Sequence, residues 1–253
     1  MLGRFLEVSI QAPSVLESLE FYQKLGFTQA EVGEAWPHPY AVVTDGRLFI
    51  GLHQHDIDSP ALTFVKPGLV HHLEKLEALG IEFESCRLGE DVFNEATFRD
   101  PDGVLVTLIE ARTFSPPSRG VAETSWCGYF TELGIPTRDA DRAKEFWEPL
   151  GFVAVANNEE PFRRVSLTSD HLDLGLYTTR ELRRPVLTFS DGDMGARVAR
   201  IVKLGIEPSR RMPAVFDPHT TAMLVAPEGT VLLLMTEESA FPSTAGAILQ
   251  TDE

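Results

Sequence analysis

Apolar positions along this chain follow two periods that alternate. Leu6, Val8 and Ile10 interleave with Phe5, Glu7 and Ser9, the period-two pattern of a half-buried strand. Val15, Leu16, Leu19 and Tyr22 then follow helical spacing as far as Gly26, behind a Ser14/Glu17 capping box. Strands are predicted near 40–44 and 47–53, joined by an Asp45-Gly46 hairpin turn, and again over 60–65. Leu69, Leu73, Leu76 and Leu79 mark a second helix that Gly80 ends. Two more strands, near 95–99 and 104–110, are joined by the turn Asp100-Pro101-Asp102-Gly103.

The same order then begins again. Glu7, Leu25-Gly26-Phe27, Pro60-Ala61-Leu62-Thr63-Phe64 and Leu79-Gly80-Ile81-Glu82 all recur 125 positions on. Their counterparts are Glu132, Leu150-Gly151-Phe152, Pro185-Val186-Leu187-Thr188-Phe189 and Leu204-Gly205-Ile206-Glu207. Pro101-Asp102-Gly103 returns as Pro227-Glu228-Gly229. One offset kept through separate blocks identifies an internal duplication. The reading is a first domain over 1–113, a Pro-, Ser- and Gly-containing linker over 114–125, a second domain over 126–238 and an irregular tail over 239–253. Helices interrupt strands that also pair by tight hairpins. The fold class is therefore α+β with mixed or antiparallel sheets, not a doubly wound parallel sheet.

Composition narrows the function. The 253 residues are 43% hydrophobic, enough for a packed core. A net charge of −16 speaks against nucleic acid and anionic membrane as partners. Cys86 and Cys127 fit neither a zinc spacing nor a disulfide framework. No stretch approaches the roughly 20 apolar residues of a membrane helix. No nucleophile elbow or phosphate-cradling glycine loop occurs. The expectation is a cytoplasmic protein with a small-molecule partner, acting as a monomer (its own pseudo-dimer) or a homodimer.

A first strand, a helix carrying Phe21-Tyr22 and closing in Leu25-Gly26-Phe27, and a late Asp-Pro-Asp-Gly turn occur in this order. The second copy repeats the helix signature as Phe146-Trp147 and Leu150-Gly151-Phe152. Together these features resemble the vicinal-oxygen-chelate superfamily of glyoxalases, bleomycin-resistance proteins and extradiol dioxygenases, over nearly the whole chain. The resemblance implies two tandem glyoxalase-like domains. Each would hold two βαβββ modules whose mixed sheet curls into a cup for a small molecule. Metal-using members carry four ligand positions per cup. Aligned here, those positions hold Glu7, Gly51, Pro60 and Thr107, and then Glu132, Gly175, Pro185 and Leu233. One carboxylate per cup is too few for a stable transition-metal site. The resemblance thus implies no metal and no cofactor, and a protein that binds a partly apolar ligand by burial. The alternative is a superfamily lyase or dioxygenase with an atypical carboxylate site built from Glu7, Glu110 and Glu132.

The candidate ligand-binding residues are Phe5, Glu7, Ser9, Gly51 and Thr107 in one cup, and Phe130, Glu132 and Gly175 in the other. A buried carboxylate is costly unless paired. Each Glu therefore accepts from a ligand, acts as a base, lies at the rim, or is tied to an arginine such as Arg4, Arg163 or Arg164. A mid-strand glycine at 51 and 175 implies a bulge or a close approach. His53 and His55 follow a strand, but the second copy has Tyr177 and Thr179 there. That argues against a metal pair common to both cups, and a lone histidine reads as a hydrogen bonder.

Overall fold

A computed structural model describes residues 2–31, 36–89, 92–111, 125–159 and 162–236. The linker expected over 114–125, Ser125 apart, and the tail expected over 239–253 lie outside the described residues. The first copy runs β1 (Arg4–Gln11), α1 (Val15–Lys24), β2 (Thr28–Gln29), β3 (Tyr40–Thr44), β4 (Phe49–His53), β5 (Ala61–Val65), α2 (Leu69–Ala78), β6 (Phe83–Arg87), β7 (Glu95–Arg99) and β8 (Leu105–Ile109). The second runs β9 (Tyr129–Thr137), α3 (Ala140–Trp147), β10 (Val153–Asn158), β11 (Arg164–Thr168), β12 (Asp173–Thr178), β13 (Val186–Asp191), α4 (Met194–Lys203), β14 (Thr221–Val225) and β15 (Val231–Thr236).

Each copy makes one mixed sheet. The strand orders are β2-β3-β4-β1-β5-β8-β7-β6 and β10-β11-β12-β9-β13-β15-β14. β1 lies parallel to β4 and antiparallel to β5, and β9 repeats this with β12 and β13. The two modules of a copy thus join edge to edge within that copy.

The local signals explain most element ends. Ser14 accepts from the Glu17 N–H at the start of α1, and Asp139 and Asp193 cap α3 and α4 in the same way. Leu16, expected on the buried stripe of α1, is 64% exposed. A ten-residue helix offers the sheet only a narrow stripe, here Ser18 and Tyr22, and Leu16 falls outside it. The apolar pattern missed β6, because four of its five residues are exposed and no alternation marks them.

The inner faces of both sheets and the helices share one core, which includes Val8, Ile10, Leu52, Phe64, Leu133, Ile135 and Phe189. Tyr22 and Trp147 hold equivalent positions in the two copies, and both are fully buried. Tyr22 OH and Ser18 Oγ donate to Glu228 at 3.0 and 2.7 Å, so α1 grips the β14–β15 turn of the other copy. Trp147 mirrors this beside Asp100 in the β7–β8 turn. Phe27 meets Phe189, and Phe98 meets Phe146, each pair with centroids 6.3 Å apart. Among the described residues no helix is long and apolar enough to cross a membrane.

Asp100 Oδ1 accepts from the N–H groups of Asp102 and Val104 and so shapes its turn. Burial pushes its carboxyl up to about 6, helped by the charge of Asp102 and opposed by those hydrogen bonds. A carboxyl raised on folding contributes stability below its unfolded value and loses it as pH rises through about 6. Asp100→Asn should therefore stabilise the protein at pH 7.5 by on the order of 1–3 kcal/mol, and this gain should vanish toward pH ~4. Urea melts at both pH values check it, and the same difference at both would contradict the assignment.

Candidate functional site

The site begins with a bulge. Glu7 pairs with Thr63 across β1 and β5, but Phe5 pairs with Phe64, so the register shifts between them. β9 and β13 repeat this, with Glu132 opposite Thr188 and Phe130 opposite Phe189. One extra residue moves the side chains beyond it to the other face. Phe5 and Phe130 therefore turn into the shared core, where each lies 5.5 Å from its partner Phe64 or Phe189. They do not line the cups, which corrects the strict alternation read from sequence. The same register corrects the third family position: the residue beside Glu7 is Thr63, not Pro60, and beside Glu132 it is Thr188, not Pro185.

Glu7 and Ser9 stay on the outer face of the first sheet, both buried. The glycine opposite makes room for Glu7: a Cβ on Gly51 would fall onto its carboxylate. At Gly175 a Cβ would meet Glu132 and the ring of Tyr177. Strand register runs unbroken through both glycines, so no bulge accounts for them. The close approach comes from the chain's own carboxylates.

Glu7 Oε1 accepts from Ser9 Oγ at 2.9 Å and lies 2.7 Å from His53 Nε2. Ser9 in turn lies 2.7 Å from Thr63 Oγ1. His53, only 1% exposed, places its Nδ1 2.9 Å from His38 Nε2. With Glu7 accepting a hydrogen bond from His53 Nε2–H, Nδ1 of His53 is placed to accept from His38 Nε2–H. The lone pair of His38 is then left on Nδ1, at a half-buried position. Burial lowers the His38 pKa, the fields of His53 and His55 add to this, and Glu7 opposes it. Aromatic rings surround this chain. His55 and Trp36 stack on His38 at 4.8 and 5.8 Å, Tyr40 stacks on His53 at 5.8 Å, and Phe93 meets Trp36 at 5.5 Å. Beyond Thr63, the register continues through Thr107, Thr97 and Ser85, a row of hydroxyls across β5, β8, β7 and β6.

The second outer face differs. Glu132 Oε1 accepts from Tyr177 OH at 2.6 Å, and Arg164 approaches both carboxylate oxygens at 2.9 and 3.0 Å. Burial pushes the Glu132 carboxyl up, against the pull of Arg164 and Tyr177. The row that carries hydroxyls in the first copy here runs Thr188, Leu233, Met223. Tyr177, Leu182, Val186, Phe216, Leu233 and Met235 form a buried cluster over it, with Phe162 and Met212 packed against them. This face is covered by its own side chains.

An arginine tie thus holds for Glu132 through Arg164, while Arg163 pairs with Asp141 and Glu7 is held by His53. Glu110 joins neither carboxylate. It accepts from the Gly68 and Leu69 N–H groups at the start of α2 and from Asn94, so the structure does not gather Glu7, Glu110 and Glu132. A metal at the superfamily's four positions would meet Glu7, Gly51, Thr63 and Thr107, which are one carboxylate, no side chain and two hydroxyls. Among the described residues no three His, Cys, Asp or Glu side chains are grouped to hold an ion. In the second copy a guanidinium already occupies the carboxylate. These donors do not fit that metal.

Sequence reasoning missed Trp36, His38, Tyr40, Thr63 and Phe93. Two signals could have found part of this set. His53 shares strand parity with Gly51, so it faces Glu7, and Tyr40 is the hairpin partner of His53.

Gly51→Ala should fold, because the clashing atoms end a flexible side chain, but it should push Glu7 off His53. The expected loss is roughly 1–3 kcal/mol, the size of a buried charged hydrogen bond. In a Glu7→Ala background the same substitution should cost almost nothing. Urea melts of this double-mutant cycle read the coupling, and additive losses would refute the contact.

No protein-family model matches the chain, and no curated protein sequence matches it. Solved structures do match it in fold. One is 2,2',3-trihydroxybiphenyl 1,2-dioxygenase from Sphingomonas wittichii, with TM-score 0.61 and 16% identity over 93% of this chain and 91% of that one. Another is a 2,3-dioxygenase from a Pseudomonas species, with TM-score 0.58 and 14% identity over 93% of both chains. A third is a Mn(II)-bound glyoxalase from Novosphingobium aromaticivorans, with TM-score 0.60 and 18% identity over 93% of this chain and 82% of that one. The paired mixed sheets and these likenesses give the chain the fold of the vicinal-oxygen-chelate superfamily, as two tandem glyoxalase-like domains.

Proposed function

We propose that the first copy is the working half and binds a small, partly apolar ring compound bearing a hydroxyl, without a metal at the strand positions. The observation that carries this is the hydrogen-bonded chain Glu7–His53–His38, which ends in an imidazole lone pair among Trp36, His55 and Phe93. Aromatic faces supply contact area for a flat ring, and the lone pair accepts its hydroxyl proton. Glu7 stabilises positive charge that builds on the histidines as they take up that hydrogen bond. The names of several similar structures, catechol 2,3-dioxygenase among them, point to hydroxylated aromatics. The second copy supports the first, since its carboxylate is neutralised and its face filled.

A second reading keeps the superfamily's metal chemistry. One of the similar structures is a Mn(II)-bound glyoxalase. One experiment separates the two. Catechol and 4-nitrophenol are titrated into protein stripped with EDTA, with tryptophan fluorescence as the signal. Saturable binding that is weakened about tenfold or more by His38→Ala and by Glu7→Gln supports the metal-free site. Binding that appears only after Mn, Fe, Ni or Zn is restored gives the metal reading. No saturable binding in either state overturns both.

A further inference from the structure

We propose a second binding site, for a compact anion carrying two or three carboxylate or phosphoryl groups, in a groove at one end of the second sheet. The groove has a volume of about 830 Å³ and shares no lining residue with the Glu7 site. Arg138, Arg180 and Arg183 line it, over a floor that includes Pro136 and Leu182, and Asp102 is its one carboxylate. A neighbouring groove shares Asp102 and Arg183 and adds Arg184, but it also carries Asp56, Asp58 and Glu228, so the excess of cations belongs to the first groove. All four arginines are exposed, and none makes an ion pair with the described residues. Thr178, also in the lining, has a buried hydroxyl oxygen with no hydrogen-bond partner among the described residues.

The duplication provides an internal control. The positions of Arg138, Arg180, Arg183 and Arg184 correspond to Pro13, Asp56, Asp58 and Ser59 in the first copy. The same fold therefore stands with neutral or acidic residues there, so folding does not require the arginines. Three guanidinium groups gathered around one groove repel one another. On a chain of net charge −16 their concentration is a local reversal of sign. An anion placed among them relieves the repulsion, and the guanidinium fork matches carboxylate and phosphate geometry. A long polyanion is disfavoured, because the acidic surface beyond the groove repels it.

The test is calorimetric titration of the full chain with citrate and with pyrophosphate, at low and at near-physiological ionic strength. Arg180→Asp and Arg183→Asp restore the first copy's residues, and melting curves of the free variants establish that they fold. Where one does not, Arg180→Gln or Arg183→Gln takes its place. The expected result is saturable 1:1 binding of at least one anion, about tenfold or more weaker in each groove variant. Arg210→Ala, which lies outside the groove, and Glu7→Gln should both leave it unchanged. No saturable binding, or equal weakening in Arg210→Ala, overturns the site. A loss confined to Glu7→Gln would assign the anion to the first cup instead.

Discussion

The structure turns on a carboxylate buried in the first strand of each copy. Glu7 and Glu132 are each 2% exposed. A charge so placed costs several kcal/mol unless it is paired and hydrogen-bonded. Both copies provide the space in the same way, with a glycine on the neighbouring strand beneath the carboxylate. They supply the partners differently. The first uses a serine and a histidine, and the second an arginine and a tyrosine. That one divergence sets the two outer faces apart.

Arg164 answers Glu132 with a full charge at both oxygens and Tyr177 adds a hydrogen bond to Oε1, so the carboxylate is met by the chain's own side chains. Apolar side chains can then pack over it, and Phe216, Leu182 and Met235 do. His53 leaves a different situation. An imidazole that donates to Glu7 still carries an acceptor, which His38 meets, and His38 in turn carries its own. Each satisfied bond hands an unsatisfied one outward, until the last lies among aromatic rings near solvent. The row of threonine hydroxyls beside Glu7 keeps that face polar where the second copy has Leu233 and Met223.

Much of this was legible in the sequence. The constant offset exposed the duplication, and period and turn chemistry located most strands and all four helices. Glu7 and Glu132 stood out because an acid on an otherwise apolar strand needs a reason. Parity failed at Phe5 and Phe130, since a bulge one residue long leaves no compositional trace and moves everything beyond it to the other face. Gly51 and Gly175 were recognised as unusual, but the cause lies on a strand more than forty residues away, which only tertiary contact reveals. His53 was discounted because Tyr177 replaces it in the second copy. That comparison assumed that the two carboxylates share their partners, and the structure shows that they do not.

That divergence is possible because the copies hold each other by their inner faces. Tyr22 reaches Glu228 across the junction, Trp147 stands beside Asp100, and the aromatic pairs Phe27/Phe189 and Phe98/Phe146 tie the same core from both sides. The duplication keeps part of this junction in kind, with Tyr22 matched by Trp147, Phe27 by Phe152 and one turn by the other, while Phe98 is matched by Leu224 and Asp100 by Ala226. The outer faces contribute little to it. A substitution such as histidine to tyrosine at the Glu7-type carboxylate changes what a face can bind without disturbing the packing that holds the chain together. Two identical chains paired in this way could not make such a change on one side only. Joining the copies in one chain removes that constraint, and the contrast between His53 and Tyr177 is the form its removal takes here.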